Sequence, residues 1–408
     1  MNAVATDFDA PVRNATRATY AAFILMGFSG ASWASRIPQV RDQLSLTPSG
    51  LGLVLLAIAA GSIVSLVLAG QIVAHFGSRR TVTAMAALLG VSLAAAAIGY
   101  RFGVLPVVIA LFCVGFANGA WDVAMNVQAA IVERRLGRAI MPRFHAGYSV
   151  GTVAGALVGA AAVALHLSVT IHLAVAALLV AASVMAAVQS FVPDDTVSDD
   201  APLPLEPAHA APPASRLRRT LAPWLEPRTV LIGLFVLAFA FTEGAGIDWI
   251  SVAMIDGYGV PATVGTLAFA VFLAAMTVGR WFGPGWLDRY GRVPVVRALA
   301  LVSLAGLALF VFGGAPFVAF IGVVLWGLGA SLGFPVGMSA AADDPAHAAP
   351  RVSVVATIGY CAFLGGPPLV GFLGDHVTVL RALLAVAALL FVAILLATSI
   401  KPLRAHKP

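Results

Sequence analysis

Long apolar runs recur along this chain, and they constrain its fold more than any other feature. A helix needs about 20 apolar residues to cross the hydrocarbon core of a bilayer. Runs of that length occur twelve times, at 17–36, 49–74, 81–100, 104–130, 144–165, 168–191, 228–251, 261–286, 294–313, 316–340, 351–373 and 378–399. Only 10% of the 408 residues are charged, against about 25% in a soluble domain. The sequence therefore predicts an all-α polytopic membrane protein with twelve transmembrane helices.

The basic residues lie mostly in short segments between the runs, and they predict the orientation. Of the 24 Lys and Arg, 19 fall on the side that holds both termini, four fall on the opposite side, and Arg280 lies within a span. Cytoplasmic loops are enriched in basic residues. We therefore expect a multi-pass protein of the bacterial cytoplasmic membrane with both termini in the cytoplasm. The net charge of +6 has the same explanation, so we expect the lipid bilayer and no nucleic acid as a partner.

One long break between runs divides the chain. It carries eight prolines, an acidic first half and a basic end, a composition that cannot bury a core. We predict a six-helix bundle at 1–191, a cytoplasmic linker at 192–227 and a second six-helix bundle at 228–408. Ala146–Gly159 resembles Ile358–Gly371 at an offset of 212, and two further pairs match at offsets of 214 and 216. These offsets predict two pseudo-symmetric copies of one six-helix unit.

Acidic residues are nearly excluded from the spans, so the exceptions are informative. Of the 18 Asp and Glu, only Asp122, Glu243 and Asp248 lie inside spans. A carboxylate at membrane depth costs about several kcal/mol unless it faces protein or water. We interpret Asp122 and Glu243 as carboxylates that bind substrate or a coupling proton, and Asp248 as a further proton-coupling group near the outer mouth. A structural hydrogen bond to a neighbouring helix is the alternative for each.

Amide and indole side chains extend the predicted binding site. Asn118, Asp122 and Asn126 are spaced four residues apart, so they share one face of a helix. Amides can donate to and accept from a hydroxyl-rich ligand, although they also join helices to each other. Trp33 and Trp249 occupy matching places in the first and seventh spans. Their rings suit stacking on a sugar or an apolar ligand, and the alternative is a place in the interfacial aromatic belt.

Two arginines and a row of glycines make further predictions. Arg36, at the end of the first span, either binds an anion, pairs with Asp248 or extends to the interface. Arg280 is costly at membrane depth without a partner, so we expect it to pair with an acid or to reach the cytoplasmic interface. Glycines recur every four residues from Gly147 to Gly159, which predicts close packing of the fifth span.

Several kinds of chemistry are disfavoured by what the sequence lacks. It contains no GxxxxGK[ST], HExxH or CxxC motif, so ATP-driven transport and these metal sites are not indicated. Both cysteines lie in apolar runs and suggest no disulfide framework. We expect no cofactor, no metal and no enzymatic activity.

Loops rich in glycine and arginine follow the second and eighth spans, as GQIVAHFGSRR and PGWLDRYGR. With six plus six spans and a central linker, they resemble the major facilitator superfamily. The matching positions are Gly70, Gly77, Arg79, Arg80, Asp288, Arg289, Gly291 and Arg292. The resemblance implies that these residues gate the cytoplasmic side. Ala74 stands where the family has Asp, and Ser78 stands where it has Arg, which leaves open whether the first loop still closes that side.

SWASRIP, WDVAMNVQAAIVE and TEGAGIDW resemble the bacterial branch typified by the MosC and YbjJ membrane proteins, near the fucose permease type of sugar transporter. The resemblance implies alternating-access transport of a small polar, sugar-like solute, coupled to protons, and we expect a monomer. Two alternatives stay open. One is an efflux pump for amphipathic compounds. The other is a receptor or scaffold with the same fold that has lost transport. The departures from the family at Ala74 and Ser78 are the reason for this alternative.

Overall fold

The computed structural model describes residues 10–137, 140–194, 222–344 and 347–403. This part of the chain is helical and contains no strand. The helices are α1 Ala10–Ala34, α2 Ile37–Gln43, α3 Pro48–Gly99, α4 Val104–Leu136, α5 Met141–Ala164, α6 Val169–Ala187, α7 Pro227–Tyr258, α8 Ala262–Tyr290, α9 Arg292–Phe312, α10 Pro316–Ala330, α11 Gly333–Ala341, α12 Ala348–Val377, α13 Val379–Ala382 and α14 Leu384–Leu396. Most of the predicted linker, residues 195–221, and both chain ends lie outside the described residues.

The helical membrane fold is confirmed, whereas the count of twelve spans is not fully confirmed. Among the described residues, ten helical segments are long and apolar enough to cross a membrane, with α10 and α11 counted as one segment and α13 and α14 as another. One of them, α3, is 52 residues long and covers two predicted spans, because its helical geometry is broken only at Gly77. Helix α1 covers the predicted first span but is not one of the ten.

Two loop glycines show the predicted duplication in the backbone itself. Gly77 has φ 78° and ψ 161°, and Gly291 has φ 81° and ψ 165°. A positive φ of this kind favours glycine, because it has no side chain to clash with the backbone. The two positions are 214 residues apart, which is the offset expected from the sequence. Each glycine interrupts one helix and starts the next, so the copies share this break as well as their apolar pattern.

Contacts divide the chain into two compact units, which we describe separately. Unit 1 consists of Met1–Leu46 and Ala57–Asp200, and unit 2 of Thr47–Leu56 and Ala201–Pro408. The first turns of α3 therefore group with unit 2, and the rest of the helix groups with unit 1.

Close packing of α1 against α5 organises unit 1, and glycines allow it. A Cβ atom added at Gly151 would lie 1.9 Å from the carbonyl oxygen of Ile24, and one at Gly155 would lie 2.4 Å from that of Phe28. Either contact would force the two backbones apart. The glycine row therefore has the packing role that its spacing predicted. Beside it, the stacked rings of Phe23 and Phe144 have centroids 5.7 Å apart.

We expect Gly151→Ala to destabilise unit 1 by about 1–3 kcal/mol, the usual cost of forcing an extra methyl group into a well-packed interior. Gly30→Ala is the matched control on α1, because a Cβ atom there would have no neighbour within 4 Å. Thermal unfolding in detergent measures both variants. Equal melting temperatures for the two would contradict the packing role of Gly151.

Unit 2 repeats this arrangement with different side chains. Helix α7 packs along α12, and α9 packs along α10. The start of α3 also packs against α12, where a Cβ atom at Gly52 would lie 2.4 Å from the carbonyl oxygen of Pro367. In the interior, the ring of Phe272 meets Trp326 edge-on with centroids 5.4 Å apart. Trp326 is fully buried.

Ion pairs join the predicted cytoplasmic ends of several helices of unit 2. Asp343, which follows α11, accepts from Arg228 at 2.8 Å and from Arg292 at 2.7 Å. Arg351 of α12 donates to Glu226, just before α7, at 2.7 Å. This hydrogen bond is the main cause that lowers the pKa of Glu226 below its ordinary value of 4.5. Because the pKa of Glu226 is lower in the folded state than in the unfolded state, the pair stabilises the fold fully at pH values above 4.5.

We expect Glu226→Gln to lower the free energy of unfolding at pH 7 by at most about 1 kcal/mol, because the pair is partly exposed to solvent. The difference from the wild type should shrink as the pH falls through 4.5, since Glu226 then takes up a proton in the unfolded state and, at a lower pH, in the folded state as well. Thermal unfolding between pH 7 and pH 4 measures this trend, with Asp288→Asn, an exposed acid at the end of α8, as the control. A difference that stays constant with pH would contradict the ion-pair account.

Candidate functional site

The predicted polar stripe lies on α4, within unit 1. Asn118, Asp122 and Asn126 are all half-buried. Nδ2 of Asn126 donates to the backbone oxygen of Asp122 at 2.8 Å and to its carboxylate at 3.2 Å. Oδ1 of Asn118 is buried without a hydrogen-bond partner among the described residues. The structure therefore brings Asp122 and Asn126 together and leaves part of the stripe unsatisfied by protein.

No basic side chain of the described residues forms an ion pair with Asp122. A carboxylate that has only a neutral amide beside it keeps an unbalanced charge whenever it is ionised, and such a charge is costly at membrane depth. A proton or a cationic group of a ligand would remove the imbalance. The geometry of Asp122 therefore suits a group that exchanges its partner.

Glu243 of α7 stands in a different environment within unit 2. Nη2 of Arg280, on α8, donates to both of its carboxylate oxygens at 2.8 Å. Nε of Arg280 also donates to the carbonyl oxygen of Ser331 at 3.3 Å. The expectation that Arg280 pairs with an acid is confirmed. The charge of Glu243 is consequently balanced, so any role in binding substrate or a proton requires the pair to separate.

We expect Glu243→Gln and Arg280→Gln each to destabilise the protein by about 2 kcal/mol, because each leaves a partly buried charge without its partner. The double variant should recover much of that loss, since it removes both charges. Thermal unfolding of the two single variants and the double variant forms a double-mutant cycle. Purely additive losses would show that the two side chains do not stabilise each other.

The remaining predicted ligand residues are placed as follows. Asp248 of α7 is half-buried and makes no hydrogen bond or ion pair within the part of the chain that the structure describes. Trp33 is 5% exposed and Trp249 is fully buried. This burial does not fit a place in the interfacial aromatic belt, whose rings face lipid and water. In this conformation Trp249 has no surface for a ligand, and stacking by either ring stays a prediction.

Arg36 differs from the expectation that it extends to the interface. The whole residue is 2% exposed, and its Nε donates to Nδ1 of His172, on α6, at 2.9 Å. Its Nη2 and the Nε2 of His172 are buried without hydrogen-bond partners among the described residues. The short turn after α1 directs Arg36 inward. The two residues are 136 positions apart in the sequence, so no local pattern could reveal this pair.

The first predicted gating loop holds a carboxylate that sequence reasoning missed. Asp194 follows α6, and it accepts from the backbone N–H of Ser78 and from the Ser78 hydroxyl, the latter at 2.6 Å. Because Gly77 breaks the helix, the next residues have backbone N–H groups without helical partners, and a carboxylate satisfies them well. Asp194 thus places an acid beside this loop, in which Ala74 stands at the position where the family has Asp.

Gln128 of α4 also forms hydrogen bonds with this segment. Nε2 of Gln128 donates to the Ser78 hydroxyl at 3.2 Å and to the carbonyl oxygen of Val192 at 3.1 Å, and Oε1 of Gln128 accepts from the Val192 N–H at 2.9 Å. Arg79, next in the loop, donates to the side chain of Gln189. Arg80 is exposed, and Gly70 lies half-buried seven residues before Gly77. The loop is therefore fastened to the ends of α4 and α6 within unit 1.

The second predicted gating loop is fastened by charge. Arg292 follows Gly291 and donates to Asp343 at 2.7 Å and to the hydroxyl of Ser339, in α11, at 3.0 Å. Asp288 and Arg289 lie exposed at the end of α8, where Arg289 sits 5.2 Å from the ring centroid of Tyr290. Five of the eight predicted gating residues thus have a defined contact or a helix break. They are Gly77, Arg79, Arg289, Gly291 and Arg292.

We expect Asp194→Ala to destabilise the first loop by about 1–2 kcal/mol, because a capping carboxylate is lost. Hydrogen–deuterium exchange should become faster in the peptide that contains Ser78, while peptides of unit 2 stay unchanged. Asp42→Ala, which removes an exposed carboxylate after α1, is the control. Unchanged exchange at Ser78 in Asp194→Ala would contradict the capping role.

Comparison with known proteins defines the class. The sequence profile described as Major Facilitator Superfamily matches residues 19–364. The chain belongs to that superfamily. It is 30% identical to an uncharacterized MFS-type transporter of Yersinia pestis, over 91% of this chain and 92% of that protein. It is also 28% identical to the membrane protein MosC of Rhizobium meliloti, over 90% of this chain and 85% of MosC.

Solved structures agree with this assignment at the level of fold. The nucleoside transporter NupG superposes with a TM-score of 0.75 at 13% identity, covering 96% of this chain and 98% of NupG. A D-xylose-proton symporter gives 0.71 at 12% identity, covering 96% and 97%. The transporter FucP, solved in the outward conformation, gives 0.66 at 15% identity, covering 97% and 99%. The resemblance predicted from the sequence motifs is confirmed, including the MosC branch.

Proposed function

We propose that this protein is a secondary active transporter that moves a small polar, sugar-like solute across the bacterial cytoplasmic membrane. It works by alternating access, as a monomer, and couples the movement to protons. Membership of the superfamily supports transport. The fold is shared with proteins whose names specify nucleoside, D-xylose and fucose transport, which supports a hydroxyl-rich solute. Both termini are proposed to lie in the cytoplasm, as the distribution of basic residues indicates.

The observation that carries the coupling proposal is the environment of Asp122. Its carboxylate lies inside a membrane-spanning helix beside the amide of Asn126, without a basic partner among the described residues. A group of this kind can hold a proton on one side of the membrane and lose it on the other, because no fixed cation opposes either state. Asn118 and Asn126 supply amide groups next to it for the hydroxyl groups of a solute.

A coupling role for Glu243 depends on its ion pair with Arg280. Arg280 already occupies both of its carboxylate oxygens, so Glu243 takes part in coupling only if the transport cycle separates the pair. Asp248 is not held in that way, and it remains a second proposed proton-coupling group. Trp33 and Trp249 would contact the solute only after a rearrangement that exposes their rings. The proposed order of importance for coupling is therefore Asp122, then Asp248, then Glu243.

The alternative of a receptor that has lost transport rested on the altered first loop. Asp194 supplies a carboxylate at that loop, and this removes part of the reason for expecting a defective gate. Gly77 and Gly291 have the same break in the helix, which supports a gate at both loops. We therefore favour an active transporter over a receptor or scaffold.

Transport in proteoliposomes tests the proposal. D-xylose, L-fucose and uridine are offered as probes under an inward proton gradient, with a pH-sensitive dye inside. We expect at least one probe to accumulate together with acidification. Asp122→Asn should abolish accumulation but permit exchange of labelled for unlabelled probe, because exchange needs no net proton movement.

Asp42→Asn is the control, since it removes an exposed acid of α2 that is not part of the polar stripe. Proton-driven accumulation that persists in Asp122→Asn would contradict the assigned role of Asp122. Binding of a probe without flux in the wild type would favour the receptor. Export of an amphipathic dye under the same gradient would favour the efflux alternative.

A further inference from the structure

A groove in unit 2 combines positive charge with apolar surface. It has a volume of about 440 Å³ and lies where the start of α7 meets the segment that follows α14. Its polar lining includes Arg228, Lys401 and Ser399, and its apolar lining includes Leu231, Leu395 and Leu403. The positive-inside pattern places this end of the helices on the cytoplasmic side. None of its lining residues belongs to the stripe on α4 or to the Glu243–Arg280 pair.

The polar part of the groove suits an anion. Two bases and no acid lie in the lining that the described residues form. Nε and Nη2 of Arg228 donate to the backbone oxygens of Ser399 and Lys401, at 3.2 and 3.1 Å, and Asp343 takes a further bond from Nη2. Nη1 of Arg228 makes no hydrogen bond within the described residues. The ammonium of Lys401 has no ion-pair partner there either. Nη1 of Arg228 and this ammonium are therefore both available to an anion, although Asp343 already contacts the other end of the guanidinium.

A second, independent observation comes from the hydroxyl of Ser399. Its Oγ is buried and has no hydrogen-bond partner in the described part of the chain. Buried polar groups without partners are uncommon, and each calls for a ligand, a water molecule or an ion. This hydroxyl belongs to the same lining as Arg228 and Lys401. The groove therefore offers Nη1 of Arg228 and the ammonium of Lys401 to one bound group, beside a buried hydroxyl that has no partner among the described residues.

The apolar part indicates where that anion comes from. Leu395 is 61% exposed and Leu403 is 48% exposed, and Leu231 is also exposed beside them. Leu231 and Leu395 lie in predicted spans, where exposed leucines face lipid chains, and Leu403 follows the last helix. A soluble phosphate would leave this surface without a partner, whereas a phospholipid would cover the leucines with its chains and place its phosphate at the bases. Basic pockets on the cytoplasmic side of membrane proteins bind anionic headgroups in this way.

We propose that this groove binds an anionic phospholipid of the cytoplasmic leaflet. The headgroup phosphate contacts Arg228 Nη1 and Lys401, and an acyl chain lies along Leu231 and Leu395. Because Arg228 also holds the chain end through the backbone of Ser399 and Lys401, a bound lipid joins the first turn of α7 to the end of the last span. Lipid binding should therefore stabilise unit 2.

Lys401→Gln is the variant that tests the proposal, because the Lys401 side chain has no ion-pair partner in the described structure to lose. Replacing Arg228 would disturb the chain end and test folding as well as binding. The matched control is Arg17→Gln, which removes one exposed positive charge of α1, on the same predicted side of the membrane. Native mass spectrometry in detergent counts bound lipid, and thermal unfolding measures stabilisation. The probes are phosphatidylglycerol, phosphatidylcholine and glycerol 3-phosphate.

We expect phosphatidylglycerol to bind and to raise the melting temperature, with little effect of phosphatidylcholine or of glycerol 3-phosphate at equal concentration. Lys401→Gln should weaken phosphatidylglycerol binding about fivefold, the usual effect of one basic residue near a membrane surface. Lys401→Arg should restore it, and Arg17→Gln should bind as the wild type does.

Three results would overturn the proposal. Equal stabilisation by phosphatidylcholine would show a general detergent-replacement effect. Equal stabilisation by glycerol 3-phosphate would show a site for a soluble anion and not for a lipid. Equal loss of binding in Lys401→Gln and Arg17→Gln would show that only the net charge of the protein matters.

Discussion

The cost of an ionised side chain at membrane depth is the constraint on which the rest of this structure depends. The chain keeps 15 of its 18 acidic residues outside the predicted spans. The exceptions differ in the partners of their carboxylates. Glu243 is balanced by Arg280 through two contacts of 2.8 Å. Asp122 has an amide neighbour and no fixed cation among the described residues. A balanced pair stabilises one arrangement of helices, whereas an unbalanced carboxylate is available to a proton or a ligand. This difference is the reason why we propose a coupling role for Asp122 and place Glu243 after it.

The two units show how a duplicated fold can keep a backbone feature while its side chains diverge. Gly77 and Gly291 have nearly the same dihedral angles, because each ends one helix and starts another. In unit 2, the following residue is Arg292, and it is held by the charge of Asp343. In unit 1, the following residue is Ser78, and it is held by Asp194 and Gln128. The same loop is thus fixed by an ion pair in one copy and by a capping carboxylate in the other.

The sequence predicted those features that depend on composition and short-range periodicity. Apolar run length predicted the helices, and the row from Gly147 to Gly159 predicted close packing of the fifth span. The cost of a lone arginine predicted a partner for Arg280. The sequence could not reveal partners that lie far apart in the chain, because nothing local marks them. Asp194 meets Ser78 across 116 residues and Arg36 meets His172 across 136, and only the packing of whole helices brings these groups together.

Proton coupling by Asp122 requires that the polar stripe on α4 faces water, and cysteine accessibility tests this most directly. Asn126→Cys is made in a chain whose Cys113 and Cys361 are replaced by Ala, and it is treated with a charged, membrane-impermeant thiol reagent in vesicles of both orientations. Ala124→Cys, which is fully buried on the same helix, is the matched control. The account predicts modification at position 126 in at least one orientation and none at position 124. A folded protein in which neither position reacts, while Arg17→Cys does, would contradict it.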